Sequence, residues 1–317
     1  MELAPGLHRV EAPLGDRFVA LHLVVGDDAV LLVDTGIDDS IRDHLLPYLD
    51  KIDVSREALR YAVLTHSDFD HIGGNAALKE ACPDAILLCG EDDRPMIEDL
   101  ELMISERYGE FGPDHGIPDD EDMATFAREV SGIVPVEVGL GGGETIQLGG
   151  RMVQILHTPG HSWGHLSVYD PTTDALIIGD AALYNGLYTA QGAPAFPPTY
   201  RFLDTYRATI ARMLAMDPEL LLTAHYPVYR GSEAREFLSE SMAFTHHVDT
   251  MLARALTSEP KTLVSLVDAT AEDLGPWPPE IAALLVYPLL GHLEALVQRG
   301  KVVESRLPDG RLAYAAA

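Results

Sequence analysis

Residues 61–75 read YAVLTHSDFDHIGGN and set His66, Asp68, Asp70 and His71 within one six-residue stretch, directly behind an apolar run. Imidazoles and carboxylates are the ligands that hold hydrolytic zinc, iron or manganese. A loop leaving a strand aims alternate side chains one way and the next pair another. His66 and Asp68 can therefore serve one metal while Asp70 and His71 serve a second. A dinuclear site needs more donors than these four. Later strand-end loops supply them: His161 in HTPGHSWGH, Asp180 in IIGDAAL and His225 in LLTAHYP.

The surrounding pattern can position such loops. Phe18 to Val25, a Gly26-Asp27-Asp28 turn and Ala29 to Val33 predict a hairpin that ends at Asp34-Thr35-Gly36. Helical spacing over residues 39–50 is followed by a short strand, Leu59 to Leu64, which delivers the chain into the ligand-rich loop. Sites at the C-terminal ends of strands are common in layered α/β folds. A helix over Asn75 to Ala81 and a strand over Ala85 to Leu88 come next. The acidic stretch 91–130 reads as an insertion or lid. Strands return from Val134 to Asp180, then a helix near Leu203 to Met216 and a strand at Leu220 to Thr223. Two strand-rich halves, each followed by helix, predict an α/β sandwich of sheets flanked by helices. Residues 1–231 form this catalytic unit. Residues 232–317 read as a long amphipathic helix and a region resembling a winged helix, with Pro308-Asp309-Gly310 turning its hairpin.

Taken in order, VDTG, THSDFDHIGG, HTPGH, GD and a late His resemble the metallo-β-lactamase superfamily over roughly residues 5 to 230. The resemblance implies a four-layered αββα sandwich with metals at the mouth between its sheets. Carried across motif by motif, it assigns His66, Asp68 and His161 to a first metal and Asp70, His71 and His225 to a second, with Asp180 bridging. It also implies two divalent ions and catalysis by a metal-activated water.

Asp68 departs from the family, whose pattern is His-x-His-x-Asp-His. A carboxylate in place of an imidazole makes the first site harder and more negative, which favours iron or manganese over zinc. The flavodiiron branch, with Glu at this position, resembles it there. In the other reading Asp68 caps a turn and only the second metal remains.

Several further residues are candidates. Asp34 in VDTG is expected to order the motif loop and orient ligands, and His165 either does the same or is a core histidine bonded to backbone. Asp70 is a candidate for proton transfer and Tyr184 for protonating the leaving group. Tyr108, Phe111, His115 and Tyr188 are candidates for the pocket wall or for ordinary loop packing. His22, His157 and the pair His246-His247 read as structural or solvated.

Composition narrows the chemistry. The 317 residues are 47% hydrophobic, enough for a large core, and carry a formal charge of -28. That charge repels phosphates, so a nucleic-acid partner and a nuclease activity are disfavoured. With two cysteines, Cys82 and Cys89, and no signal-like start or 18-residue apolar run, the expectation is a cytoplasmic protein without a membrane span. The tail is available for pairing two copies as a homodimer. The expected activity is hydrolysis of an ester, thioester or lactone of a small-molecule substrate. Iron-dependent redox or dioxygenase chemistry is the alternative prompted by Asp68.

Overall fold

In the strand Val30–Val33 all four side chains are buried, and successive ones enter different cores. Val30 and Leu32 face a cluster with Ile41, Leu45 and Leu78, whereas Leu31 and Val33 face one with Val153, Ile155 and Val168. This period-two division is what a strand buried on both faces requires. The computed structural model describes residues 1–317, the side chain of Pro113 excepted.

The first sheet holds seven strands in sequence order: β1 (Glu2–Ala4), β2 (Leu7–Leu14), β3 (Arg17–Val25), β4 (Val30–Val33), β5 (Leu59–Leu64), β6 (Ile86–Gly90) and β7 (Val138–Leu140). β1 to β4 are antiparallel neighbours, and β4 to β7 run parallel through helical crossovers. β2, LHRVEAPL, escaped the sequence reading although Arg9, Glu11 and Pro13 alternate with Val10, Ala12 and Leu14, because a proline and charged residues weaken the strand signal. Arg9 is nevertheless buried, donating to the Thr223 and Tyr226 carbonyls.

Across the central core lie β8 (Thr145–Gln147), β9 (Met152–His157), β10 (Leu166–Asp170) and β11 (Ala175–Ile177). After the small hairpin β12 (Leu187–Tyr188) and β13 (Pro194–Phe196), this second sheet is completed by β14 (Leu220–Leu222) and β15 (Tyr229–Arg230). The helices Leu46–Lys51 and Asn75–Ala81 cover the outer face of the first sheet; Leu203–Met216 and Ser232–Ala255 cover that of the second. The result is the four-layered αββα arrangement, with the ends of β4, β5, β9, β11 and β14 gathered at one mouth.

The C-terminal segment continues with β16 (Lys261–Thr262), the helices Leu263–Leu274 and Val286–Gln298, and the hairpin β17 (Val302–Arg306) and β18 (Leu312–Ala316). Its Leu263, Leu266, Leu285 and Leu289 share one apolar cluster with Leu176, Ile210, Leu221 and Phe237, so it is fastened to the sandwich by a common core. Pro279–Gln298 has the length and mean hydropathy of a membrane span although the sequence has no uninterrupted apolar run there; 61% of its most apolar window is buried within the fold.

Candidate metal centre

β4 and β5 run side by side and end together, which sets Asp34 beside Thr65. Asp34 takes a left-handed backbone (φ 62°), a conformation that Asp tolerates better than most residues. Its Oδ1 accepts from the Thr65 N–H at 2.7 Å. Its Oδ2 accepts from the Thr65 hydroxyl at 3.0 Å and from His71 Nδ1 at 2.8 Å. The Thr65 hydroxyl, having donated its proton to Asp34, accepts from His66 Nδ1 at 2.9 Å. One buried carboxylate thus fixes two imidazoles so that both Nε2 atoms face the mouth.

Beyond Asp68, which is still extended (ψ 140°), a single helical turn over Phe69–Ile72 brings Asp70 and His71 round to the second side of the loop. Gly73-Gly74 lets that turn lie against the preceding motif: a Cβ on Gly74 would sit 2.4 Å from the Thr35 carbonyl oxygen. This accounts for the glycine pair behind the ligand run.

His161 comes from the turn between β9 and β10. Asp93 accepts from the Ser162 hydroxyl and from the Gly164 N–H at 2.7 Å, pinning that turn. His165 donates from Nδ1 to the Thr158 hydroxyl at 2.9 Å, and its Nε2 accepts the Asp180 N–H at 3.2 Å. It is a buried histidine whose ring meets the backbone of Asp180. His225, after β14, donates Nδ1–H to the Phe18 carbonyl at 2.9 Å, which frees Nε2.

The donor atoms converge in three overlapping groups, each within 4.8 Å: His66, His71 and Asp180; His66, Asp68 and His161; Asp70, His71 and His225. His225 Nε2 lies 3.4 Å from Asp70 Oδ2, 3.4 Å from His71 Nε2 and 3.5 Å from Asp180 Oδ2. Ligands about 2.0–2.2 Å from a common ion sit at such separations. The buried Asp180 Oδ1 has no hydrogen-bond partner, a costly state that a cation held with Asp70, His71 and His225 would relieve, and the buried His66 Nε2, also without one, lies within 4.8 Å of donors on His71 and Asp180. The set around Asp70, His71, Asp180 and His225 therefore fits a divalent metal.

Electrostatics agree. Burial opposes charge on His71, yet the Asp34, Asp70 and Asp180 carboxylates together raise its pKa to about 10. Burial likewise opposes ionisation of Asp180, but His225 and His71 hold it well below the usual carboxylate range. Burial, with the neighbouring imidazoles, lowers His66 to about 4.

The surroundings of Asp68 differ from expectation. Arg107, from the lid, donates Nε to Asp68 Oδ1 at 2.9 Å and Nη2 to Asp68 Oδ2 at 3.3 Å, and the same Nη2 lies 3.2 Å from His161 Nε2. Burial raises the Asp68 pKa, but Arg107 and the two imidazoles more than reverse this and hold it well below the usual value. The guanidinium thus places a positive charge against the negative charge that Asp68 adds. Sequence reasoning passed over Arg107 because it sits in a net-acidic stretch 39 positions from Asp68, with no local pattern to mark the pairing.

Tyr184 is not brought to the centre. Its ring stacks on Phe237 at 5.6 Å and lines a separate hollow with Tyr229, Glu233 and Glu236. His115 is buried against Tyr314, and Phe111 packs edge-on to Tyr287; Tyr188 donates to Asn185. Tyr108 does reach the site: with Arg17, Met123, Phe196, Leu284 and Tyr287 it lines a cavity of about 270 Å³ that opens onto Asp70, Asp180 and His225. The C-terminal segment thus supplies part of the wall.

The model of the Metallo-beta-lactamase superfamily matches residues 14–225. The acyl-coenzyme A thioesterase MBLAC2 of Homo sapiens is 26% identical over 74% of this chain and 84% of its own length. The hydroxyacylglutathione hydrolase GloC of Haemophilus influenzae is 26% identical over 61% and 80%. A solved metallo-beta-lactamase family protein from Thermus thermophilus matches 99% of this chain and all of its own at a TM-score of 0.76 and 23% identity, which establishes the shared fold. With the strand-end donors in the family's order and a family model spanning most of the chain, this protein belongs to the metallo-β-lactamase superfamily.

Proposed function

We propose that the protein is a metal-dependent hydrolase of small acyl thioesters. The observation that carries this is the convergence of Asp70, His71, Asp180 and His225 at a cavity with apolar wall residues whose phenol nearest the ligand loop, Tyr108, is a poor proton donor for a leaving group. A divalent cation held by these four residues would activate water and polarise a carbonyl. The chain's own residues do the rest. Asp34 and the Phe18 carbonyl fix the His71 and His225 rings, and Asp70 would take up the proton of the attacking water. Met123, Leu187, Phe196 and Leu284 give the cavity an apolar wall that suits an acyl chain.

The leaving group decides between substrate classes. Tyr108 is the phenol nearest the ligand loop, accepting from the Phe69 N–H at 3.4 Å, but burial and the Asp68 and Asp70 charges raise its pKa well above 10, so it is a poor acid. A thiolate, whose conjugate acid has a pKa of about 8.5, departs without protonation, whereas an alkoxide with a conjugate-acid pKa of roughly 15 does not. The two hydrolase relatives act, by their names, on thioesters. The iron-redox alternative loses its motive once Arg107 offsets Asp68.

A matched panel of acyl-coenzyme A and acylglutathione thioesters, their oxygen-ester counterparts and lactones tests the proposal by kcat/KM. Thioesters should lead; equal or faster turnover of alkyl esters would overturn the substrate assignment.

A further inference from the structure

We propose that Arg107 takes the place of the first metal, so that the chain holds one divalent ion where the family pattern provides for two. This rests on the metal-centre reading above and concerns the donors left outside Asp70, His71, Asp180 and His225. Asp68 Oδ2 and His161 Nε2 stand 3.0 Å apart, and Arg107 Nη2 is within 3.3 Å of both. A neutral imidazole has one acceptor nitrogen with one lone pair. His161 Nε2 either donates to Asp68 Oδ2, 3.0 Å away, or accepts from Arg107 Nη2, 3.2 Å away, and in neither state does it offer a lone pair to a metal. Asp68 is engaged as well, through both oxygens, in the fork geometry that makes arginine–carboxylate pairs strong.

The guanidinium is built in rather than passing through. Arg107 is 6% exposed, lies 4.7 Å from the Tyr287 ring centroid and has its carbonyl hydrogen-bonded by the Tyr287 hydroxyl at 2.8 Å. The lid brings the charge and the C-terminal helix Val286–Gln298 holds it. A fixed monocation here supplies positive charge beside the metal and repels a second divalent ion. It also lines the substrate cavity, where it can hydrogen-bond a substrate carbonyl or carboxylate. Asp68 is then the partner that retains Arg107, which gives the His-to-Asp replacement a reason.

The test is metal content per chain, by plasma mass spectrometry after dialysis against zinc or manganese and removal of free metal. The unaltered protein should carry one equivalent and Arg107→Met two. His161→Ala should keep one equivalent and His225→Ala should lose it; this pair decides the matter even if Arg107→Met fails to fold. Two equivalents in the unaltered protein, one in a folded Arg107→Met, or loss of metal from His161→Ala would each overturn the inference. Thioester turnover is scored separately, so one equivalent without that activity would leave the stoichiometry standing and remove the substrate assignment.

Discussion

Replacing Asp34 by Asn tests the assignment of ligand orientation to a residue that touches no substrate. Asn keeps the Cβ and tolerates the left-handed backbone of this position (φ 62°), so the loop can retain its path. The carboxylate serves three donors at once: Thr65 N–H, the Thr65 hydroxyl and His71 Nδ1. An amide has one oxygen, and its NH2 must then face either Thr65 N–H at 2.7 Å or His71 Nδ1–H at 2.8 Å. One buried N–H is left unpaired, at a cost of about 1–3 kcal/mol to the metal-free fold. Loss of such an orienting partner weakens metal affinity roughly 10–100-fold, which corresponds to about 1.4–2.7 kcal/mol. Competition against a chromophoric chelator gives the affinity, and urea unfolding of the metal-free protein gives the stability. Unchanged metal affinity alongside reduced stability would refute the reasoning, because Asp34 would then hold the loop without governing the His71 ring.

Other perturbations probe different links. His71 in the metal-free chain is protonated below about 10, so a metal binding near neutrality must displace its proton; apparent affinity should rise with pH and level off as that pKa is passed. Calorimetry in buffers of differing ionisation enthalpy reads the released proton directly, and binding without proton release would contradict the assignment. Gly90 meets Gly164 where the first sheet passes the His161 turn, and a Cβ there would lie 1.8 Å from the Gly164 carbonyl oxygen. Gly90→Ala should therefore cost about 1–3 kcal/mol or more in denaturant unfolding and weaken metal binding by shifting the turn. Tyr184→Phe should leave kcat/KM within about twofold, since that ring packs on Phe237 away from the metal donors.

The parts of this site legible in the sequence were those written locally. His66, Asp68, Asp70 and His71 follow a short apolar strand, and strand ends in a layered fold must gather at an edge, so later loops carrying His161, Asp180 and His225 could be assigned to the same mouth. A sandwich of sheets flanked by helices followed from the same periodicities, and its αββα layering from the family resemblance. What was not legible depended on contacts remote in sequence. Arg107 meets Asp68 from 39 positions away and Tyr287 from 180, and no local pattern marks either pairing. Tyr184 drew attention by following Asp180 closely, but its left-handed backbone (φ 50°) and the stacking of its ring on Phe237 place it elsewhere. The wall built by Leu284 and Tyr287 was hidden for a related reason: the apolar faces of the C-terminal helices are shared with the helix just before them as well as with strand residues such as Leu176 and Leu221 far back in the chain, and sequence alone does not show that join.

The most direct test of the account is thioester turnover measured while metal is titrated into chelator-treated protein. The account predicts no activity without metal, a linear rise, and a break at one equivalent per chain. A break at two would contradict the role given to Arg107 alone. Activity that persists in the metal-free protein, or that stays absent through the whole titration while metal binds, would contradict the central claim that this His/Asp cluster is the hydrolytic centre.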